Sequence, residues 1–403
     1  MSQVETQSET TVKTLTYRNE RAKGTGRRCA KGGTRGAVPA GLEYQELMVL
    51  RIVRQSMGEN CAGFCRLVVI FLVCFCLTAA AGATMVRAGT LENVRSRGQL
   101  VCGVSDQQPG YASVDRFGAW TGLDVAFCEA VATAVLGSKA NAVFKAMPVS
   151  SAFRALASGE IDLLMPPTSW TLSHDTELNV RFVDALVHDG QGFMVPRSHG
   201  ISSALELSGA SVCAVAGTRA VDSAAAFFGR HRMRHQLVTN ALWSELVQAY
   251  AGGACTALTG DITRLAAVRS TLAGSSEHVI LPEVISKEPR GPVVRVGDHA
   301  WFAIVRWVLM ALIEAEELDI SSTNVDQRAD SAMEDVRRLL GVDSDLGQSL
   351  GLDAAWARRT IREVGNYGEI FERNMGSGSV LKLPRGYNNL WSRGGLLYGV
   401  PLR

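Results

Sequence analysis

No signature of covalent chemistry occurs in the sequence. There is no H-E-x-x-H pair for a catalytic zinc, no G-x-S-x-G nucleophile elbow, no glycine-rich phosphate loop and no C-x-x-C redox pair. A metal centre is no better supported, since Cys61-x-x-x-Cys65 has no histidine nearby. Basic charge is scarce where a fold would use it. Of 41 Lys and Arg and 39 Asp and Glu, residues 1–88 hold 12 and 6, which leaves 29 and 33 for residues 89–403. That stretch is net acidic and offers no broad basic surface to a phosphate backbone, which argues against nucleic acid as a partner. The apolar run Leu67–Ala81 has 15 residues, short of the roughly 20 that a membrane-spanning helix needs.

Apolar material is plentiful. Hydrophobic residues make up 47% of the 403, and mean hydropathy is +0.09. Length alone allows two or three domains of about 100–200 residues. Residues 1–56 read as a basic, disordered extension: Lys13–Arg35 holds eight basic residues, one acid (Glu20) and no apolar period. The alternative is that translation begins at Met48 or Met57. Residues 57–88 read as a signal peptide. Arg66 precedes the apolar run, small residues follow it, and cleavage after Ala83 or Ala88 fits. An uncleaved anchor is the other reading. Either way the remainder lies outside the cytoplasm, in the periplasm.

The mature part is organised around Gln99–Cys128. Leu100–Val104 has the length and composition of a buried strand, and Leu123–Leu136 reads as a helix. Between them lie loops carrying Ser105, Asp106 and Tyr111. Ligands of open α/β sheets bind beyond the carboxyl ends of the strands, which is where Ser105 and Tyr111 belong. The alternation continues with strands at Ala142–Met147 and Ile161–Met165 around a helix at Ser150–Ala157, which argues for a parallel sheet. A second series follows: strand Ala210–Val215, helix Ala220–Phe228, strand Gln236–Val238, helix Leu242–Tyr250, strand Thr256–Leu258 and helix Ile262–Leu272. Further helices are expected over Trp301–Glu317, Asp326–Leu340 and Leu352–Val364, and the tail Asn388–Arg403 is expected to pack on the first lobe.

Gly103-Val104, Gly110-Tyr111-Ala112 and the pattern G-x-W-T-G-x-D-V-x-x-C-x-A-V-A over 118–132 resemble periplasmic amino-acid-binding proteins of ABC importers. Within solute-binding protein family 3 they look most like the general L-amino-acid receptors. The resemblance resumes at Thr168–Thr176, Asp189–Pro196, Ser203–Cys213, Val279–Pro289 and Gly365–Asn374, and so covers roughly residues 89–403. It implies an α/β, two-lobed type II periplasmic-binding-protein fold, each lobe a sheet flanked by helices, joined by two hinge crossings. Lobe 1 would be 89–188 plus 290–403, and lobe 2 would be 189–289. Gly190 and Gly192 would give the first crossing its backbone freedom.

The resemblance also implies a ligand site. Pro167 offers a carbonyl to an ammonium and Ser169 a hydroxyl. His174 stands where the family has an arginine that grips the α-carboxylate with a planar fork of donors. Histidine gives at most one good N–H and, with a reference pKa of about 6.5, is only partly charged near neutrality. Arg219 and Arg116 are candidate substitutes. Gly217 and Thr218 match a turn that receives the carboxylate at a helix N-terminus, Asp261 matches the acid that pairs with the α-ammonium, and Tyr111 would wall the pocket. The bland readings are a surface His174, an Asp261 that caps a helix and a Tyr111 in ordinary packing.

Four cysteines lie after residue 88, and an even number behind an export signal reads as disulfides. Three pairings are possible. Cys102–Cys128 and Cys213–Cys255 are expected because each then lies within one proposed lobe; four reduced thiols are the alternative. The chain therefore reads as a monomeric receptor that captures an L-amino acid and delivers it to an ABC permease, with no catalysis, cofactor or metal. The rivals are a dehydratase-like periplasmic enzyme on the same fold, a membrane-tethered sensor ectodomain and a receptor that no longer binds.

Overall fold

Leu100–Val104 forms a strand whose five residues are all buried, as its composition predicts. The structure, a computed structural model, describes residues 89–403 apart from Asp106; the expected extension (1–56) and signal peptide (57–88) lie outside the described residues. Helix α1 (Thr90–Arg97) leads into this strand, β1. The stretch read as two loops then forms a small antiparallel meander, β2 (Gln107–Gln108), β3 (Ala112–Val114) and β4 (Trp120–Thr121). Helix α2 (Leu123–Leu136) buries 12 of its 14 residues, which is why it is apolar all round instead of on one face. Strand β5 (Ala142–Ala146), α3 (Val149–Ser158), β6 (Leu163–Leu164), α4 (Leu172–Glu177) and β7 (Val180–Phe182) follow.

The chain then crosses through β8 (Val187–Asp189) into β9 (Gln191–Pro196). The second series is β10 (Ala210–Val215), α5 (Arg219–Arg230), β11 (His235–Asn240), α6 (Trp243–Ala251), β12 (Ala257–Asp261), α7 (Ile262–Thr271) and β13 (His278–Ile280). The return runs through β14 (Glu288–Arg290) into β15 (Val293–Arg295). Six helices complete the chain: α8 (His299–Glu317), α9 (Val325–Arg328), α10 (Glu334–Leu339), α11 (Leu346–Ser349), α12 (Trp356–Val364) and α13 (Tyr367–Asn374).

Two five-stranded sheets result, in the orders β5-β1-β6-β15-β7 and β11-β10-β12-β9-β13. The expected parallel sheet holds only for the three strands at one side of each: β1 runs parallel to β5 and β6, and β10 to β11 and β12. The strands that carry the chain between sheets run back against them, so β15 and β9 pair antiparallel and both sheets are mixed. The crossings themselves pair as a two-stranded ribbon, Glu288 opposite Asp189 and Arg290 opposite Val187.

The first sheet packs under a core that includes Leu100, Phe127, Trp301 and Tyr367, and Leu390 and Leu397 of the tail join it as expected. The second sheet has a cluster around Phe193, Phe227 and Phe228 and another around Met194, Tyr250 and Leu265. Each fully buried aromatic or aliphatic side chain there contributes about 1.5–3 kcal/mol. Asp326–Leu340 is not one helix. It breaks between α9 and α10, where the Ser331 hydroxyl accepts the Met333 amide at 3.1 Å and offers the backbone an alternative to helical bonding. Similarly, the Asp353 carboxylate accepts the Ala355 amide at 3.0 Å, and the next helix starts at Trp356 instead of Leu352.

The reason for glycine at the crossing also differs from expectation. Gly190 does not need a left-handed backbone; a Cβ there would lie 2.2 Å from Val284 Cγ1 and 2.7 Å from the Ser286 carbonyl. It is small so that the outward and return chains can touch.

Candidate functional site

Beyond the carboxyl ends of β1, β5 and β6 lies an open groove of about 490 Å³, lined among others by Ser105, Gln107, Gln108, Met147 and Pro167. Two of the sequence-predicted site residues, Ser105 and Pro167, therefore share one wall. Tyr111 sits beside it, held by its own backbone. The Leu123 and Asp124 amides, first-turn donors of α2 with no intrahelical partner, bond the Gly110 and Tyr111 carbonyls at 2.9 Å each. The tyrosine ring is 3% exposed, and its hydroxyl donates to Asp189 at 3.0 Å. Burial, then the Asp189 charge, push the phenol well above its usual range.

On the second lobe, β10 and β12 are parallel neighbours, so the turn after β10 and the last residue of β12 lie at the same end of the sheet. Gly217 takes φ +69°, which favours glycine, and Thr218 follows in extended conformation as the residue before α5. The Thr218 hydroxyl donates to the Val215 carbonyl at 2.7 Å instead of capping the helix. The Val221 amide bonds the Thr218 carbonyl at 3.1 Å, which leaves the Arg219 and Ala220 amides at the end where the dipole of this 12-residue helix favours an anion. Asp261 ends β12 and makes no capping bond with its side chain. Its surface is open to solvent, with Asp189, Arg290, Glu288 and Arg264 near enough to act on its charge. Loss of hydration, then the Asp189 charge, push its carboxyl up to about 6.

Ser169 and His174 lie together at the ribbon. The Ser169 hydroxyl donates to Glu288 at 2.5 Å, the other Glu288 oxygen accepts from Ser286 at 2.8 Å, and the Ser286 hydroxyl accepts the Gln191 amide at 3.1 Å. Gln191 in turn donates to the Ala220 carbonyl at 2.8 Å, in the first turn of α5. A chain of polar contacts thus runs from Ser169 through the ribbon to the second lobe. His174 Nδ1–H donates to the Ser169 carbonyl at 2.8 Å, because a carbonyl only accepts. A neutral ring then has Nε2 as an acceptor, so His174 can hold a carboxylate only as imidazolium. Arg116 and Arg219, the candidate substitutes, are both exposed, Arg116 over the Phe117 ring at 4.8 Å and Arg219 at the start of α5.

The sequence reading passed over Arg290, Asp124, Asp189 and Glu288. Among the described residues Arg290 is the one Lys or Arg buried below a tenth of its surface, at 8%. Its guanidinium lies over the Tyr111 ring, 3.7 Å from the centroid, and donates to Gln108 Oε1 at 2.7 Å and the Pro166 carbonyl at 3.2 Å. Asp124, in the first turn of α2, is buried. Burial pushes its carboxyl up to about 6 against the opposing pull of Arg290. Arg290 is one residue beyond the matched stretch Val279–Pro289, and nothing in a strand's periodicity marks an arginine as buried.

Both expected disulfides are present, Cys102–Cys128 and Cys213–Cys255. Among the described residues no group of three or more His, Cys, Asp or Glu is placed to hold a metal ion, and no helix is long and apolar enough to cross a membrane.

Comparison with known proteins bears on this arrangement. Residues 100–324 match the family described as bacterial extracellular solute-binding proteins, family 3. The chain is 45% identical over 326 residues to a general L-amino acid-binding periplasmic protein of Rhizobium johnstonii, covering 80% of this chain and 96% of that one. It is 46% identical over 326 residues to a glutamate/glutamine/aspartate/asparagine-binding protein of Rhodobacter capsulatus, covering 81% and 96%. A solved ABC transporter periplasmic binding protein from Brucella ovis, with glutathione bound, superposes with a TM-score of 0.70 at 46% identity, covering 79% of this chain and all of that one.

Proposed function

We infer that this chain, which belongs to the bacterial extracellular solute-binding proteins of family 3, captures an L-amino acid between its lobes and delivers it to an ABC transporter. The observation that carries this is the identity of 45% and 46%, over about four-fifths of the chain, to receptors named for amino-acid binding. Such relatives are solute-binding proteins, and binding needs no bond-making chemistry here. The groove wall with Ser105 and Pro167 supplies one face of the cleft. The α5 N-terminus after Gly217-Thr218 takes the α-carboxylate, and Asp261 takes the α-ammonium, which needs such a partner once the lobes exclude water. Tyr111 walls the hinge end, and Ser169 and His174 close the lobe 1 side. Lobe 1 comprises 89–188 and 290–403, lobe 2 comprises 189–289, and the paired β8 and β14 are the hinge.

A ligand shifts the open–closed equilibrium only through its greater affinity for the closed form, and the closed monomer is what the permease recognises. Export by the signal peptide at 57–88 places the receptor in the periplasm. A thermal-shift screen of the purified protein against the twenty amino acids and small dicarboxylates tests the reading. A ligand at 100 times its dissociation constant stabilises by about 2.7 kcal/mol. Stabilisation by one or more amino acids is expected, and no stabilisation by any of them overturns the reading.

A further inference from the structure

We propose that Arg290 reads the ligand's side chain: its guanidinium holds a carboxylate or amide oxygen and repels a cation, so the receptor prefers acidic and amide L-amino acids over basic ones. This rests on the amino-acid-receptor reading and adds the ligand class. Three observations carry it.

The first is an unused donor. Arg290 Nε is buried with no hydrogen-bond partner. The other such atom among the described residues, Arg328 Nε, belongs to a side chain that bonds the Leu318 carbonyl in the helical part of the first lobe, away from the cleft. A buried charged N–H without an acceptor costs more than an ordinary hydrogen bond gains, and native structures rarely leave one unsatisfied.

The second is the absence of a direct counter-ion. Asp124, Asp189 and Asp261 favour the charged guanidinium electrostatically, against the desolvation that opposes it. Yet among the described residues no carboxylate forms an ion pair with Arg290. Asp189 is instead held by the Tyr111 hydroxyl and by the Gly190 amide at 2.9 Å. The acids keep Arg290 ionised without filling its donor positions.

The third is location. Gln108, which accepts from Arg290, lines the groove, and Pro166, which also accepts from it, adjoins the groove residue Pro167. The guanidinium rests over the Tyr111 ring, 3.7 Å from its centroid. A zwitterion with its carboxylate at α5 and its ammonium at Asp261 leaves its side chain to extend toward the hinge. There it meets a planar, ionised donor whose best acceptor is an anionic oxygen. A ligand lysine or arginine brings a second cation to the guanidinium and has no acceptor to offer its unused donor.

Calorimetric titration of the wild type, Arg290→Leu and Arg290→Lys with glutamate, glutamine, alanine and arginine tests this. The wild type is expected to bind glutamate and glutamine at least about tenfold tighter than arginine. Arg290→Leu is expected to lose about 10- to 100-fold for glutamate while alanine changes less than about threefold. Arg290→Lys, which keeps the charge but not the fork, falls between and serves if the leucine variant does not fold. Equal losses for alanine and glutamate in folded variants, or a wild type that binds arginine as tightly as glutamate, overturn the proposal and leave the receptor reading standing. A wild type that binds none of the twenty amino acids overturns both.

Discussion

The Tyr111 hydroxyl donates to the Asp189 carboxylate at 3.0 Å, joining the loop that opens the first lobe to the last residue of the outward crossing. The same ring lies against Arg290 of the return crossing. One side chain therefore touches both strands of the ribbon. Tyr111→Phe keeps the ring and removes the donor. A hydrogen bond to a charged group is worth about 1.5–3 kcal/mol, and Asp189 is only half-buried. A loss of about 1–2 kcal/mol in urea unfolding is expected, with ligand affinity changed less than by any substitution at Asp261. No change in stability would mean that water replaces the hydroxyl.

Asp261→Asn removes the proposed ammonium partner and leaves the backbone of β12 intact. Affinity for an amino acid is expected to fall by about 100-fold, as for loss of a desolvated charged pair. Stability at neutral pH is expected to hold or rise, because the substitution also removes the like-charge neighbour of Asp189. Calorimetry with the best ligand from the screen measures the first, and a melting curve the second. Binding within about threefold of wild type would remove Asp261 from the site.

The pH dependence follows from the same carboxyl. Asp261 and Asp124 are both raised from 3.8 to about 6 in the folded protein. Between those values the folded state holds more protons than the unfolded state. The stability contributed by these groups is therefore greatest below their unfolded pKa and falls as pH rises through about 6. Ligand binding runs the other way, since a bound ammonium favours ionised Asp261. Affinity at about pH 5 is expected to be roughly tenfold weaker than at about pH 7.5. Titrations at both values check this; a flat profile would place the ammonium elsewhere.

His174→Arg is expected to strengthen binding of ordinary L-amino acids. His174 spends Nδ1 on the Ser169 carbonyl and offers a carboxylate nothing while neutral. An arginine is charged at every working pH and presents a fork. A gain of about tenfold is expected; weaker binding in the same titration would count against the placement of residue 174 beside the carboxylate.

Elements whose sequence pattern is local were legible before any coordinates. The strand Leu100–Val104, the helix Leu123–Leu136 and the strand Ala210–Val215 lie at the residues their apolar runs mark. The meander over Gln107–Thr121 was not legible, because its strands have two or three residues and its pairing is set by the turns between them. Sheet direction was legible only in part: alternation predicts the parallel strands but is silent on crossing strands that return against them. For the candidate site, the end of β1 follows from the strand–loop–helix pattern, so Ser105 could be named from it, whereas Thr218 and Asp261 were named only through the resemblance to a known family. Arg290, Asp189 and Glu288 could not be named. They meet because two crossings separated by about a hundred residues pair side by side, and no local pattern encodes that.

The disulfides take their meaning from which elements they join. Cys102–Cys128 fastens the strand before Ser105 to the helix that holds Tyr111, and Cys213–Cys255 fastens the strand before Thr218 to the loop that leads into the strand ending at Asp261. Each bridge stiffens one jaw, and neither spans the ribbon. Reductant should therefore blunt the grip of each half while leaving the travel of the joint untouched.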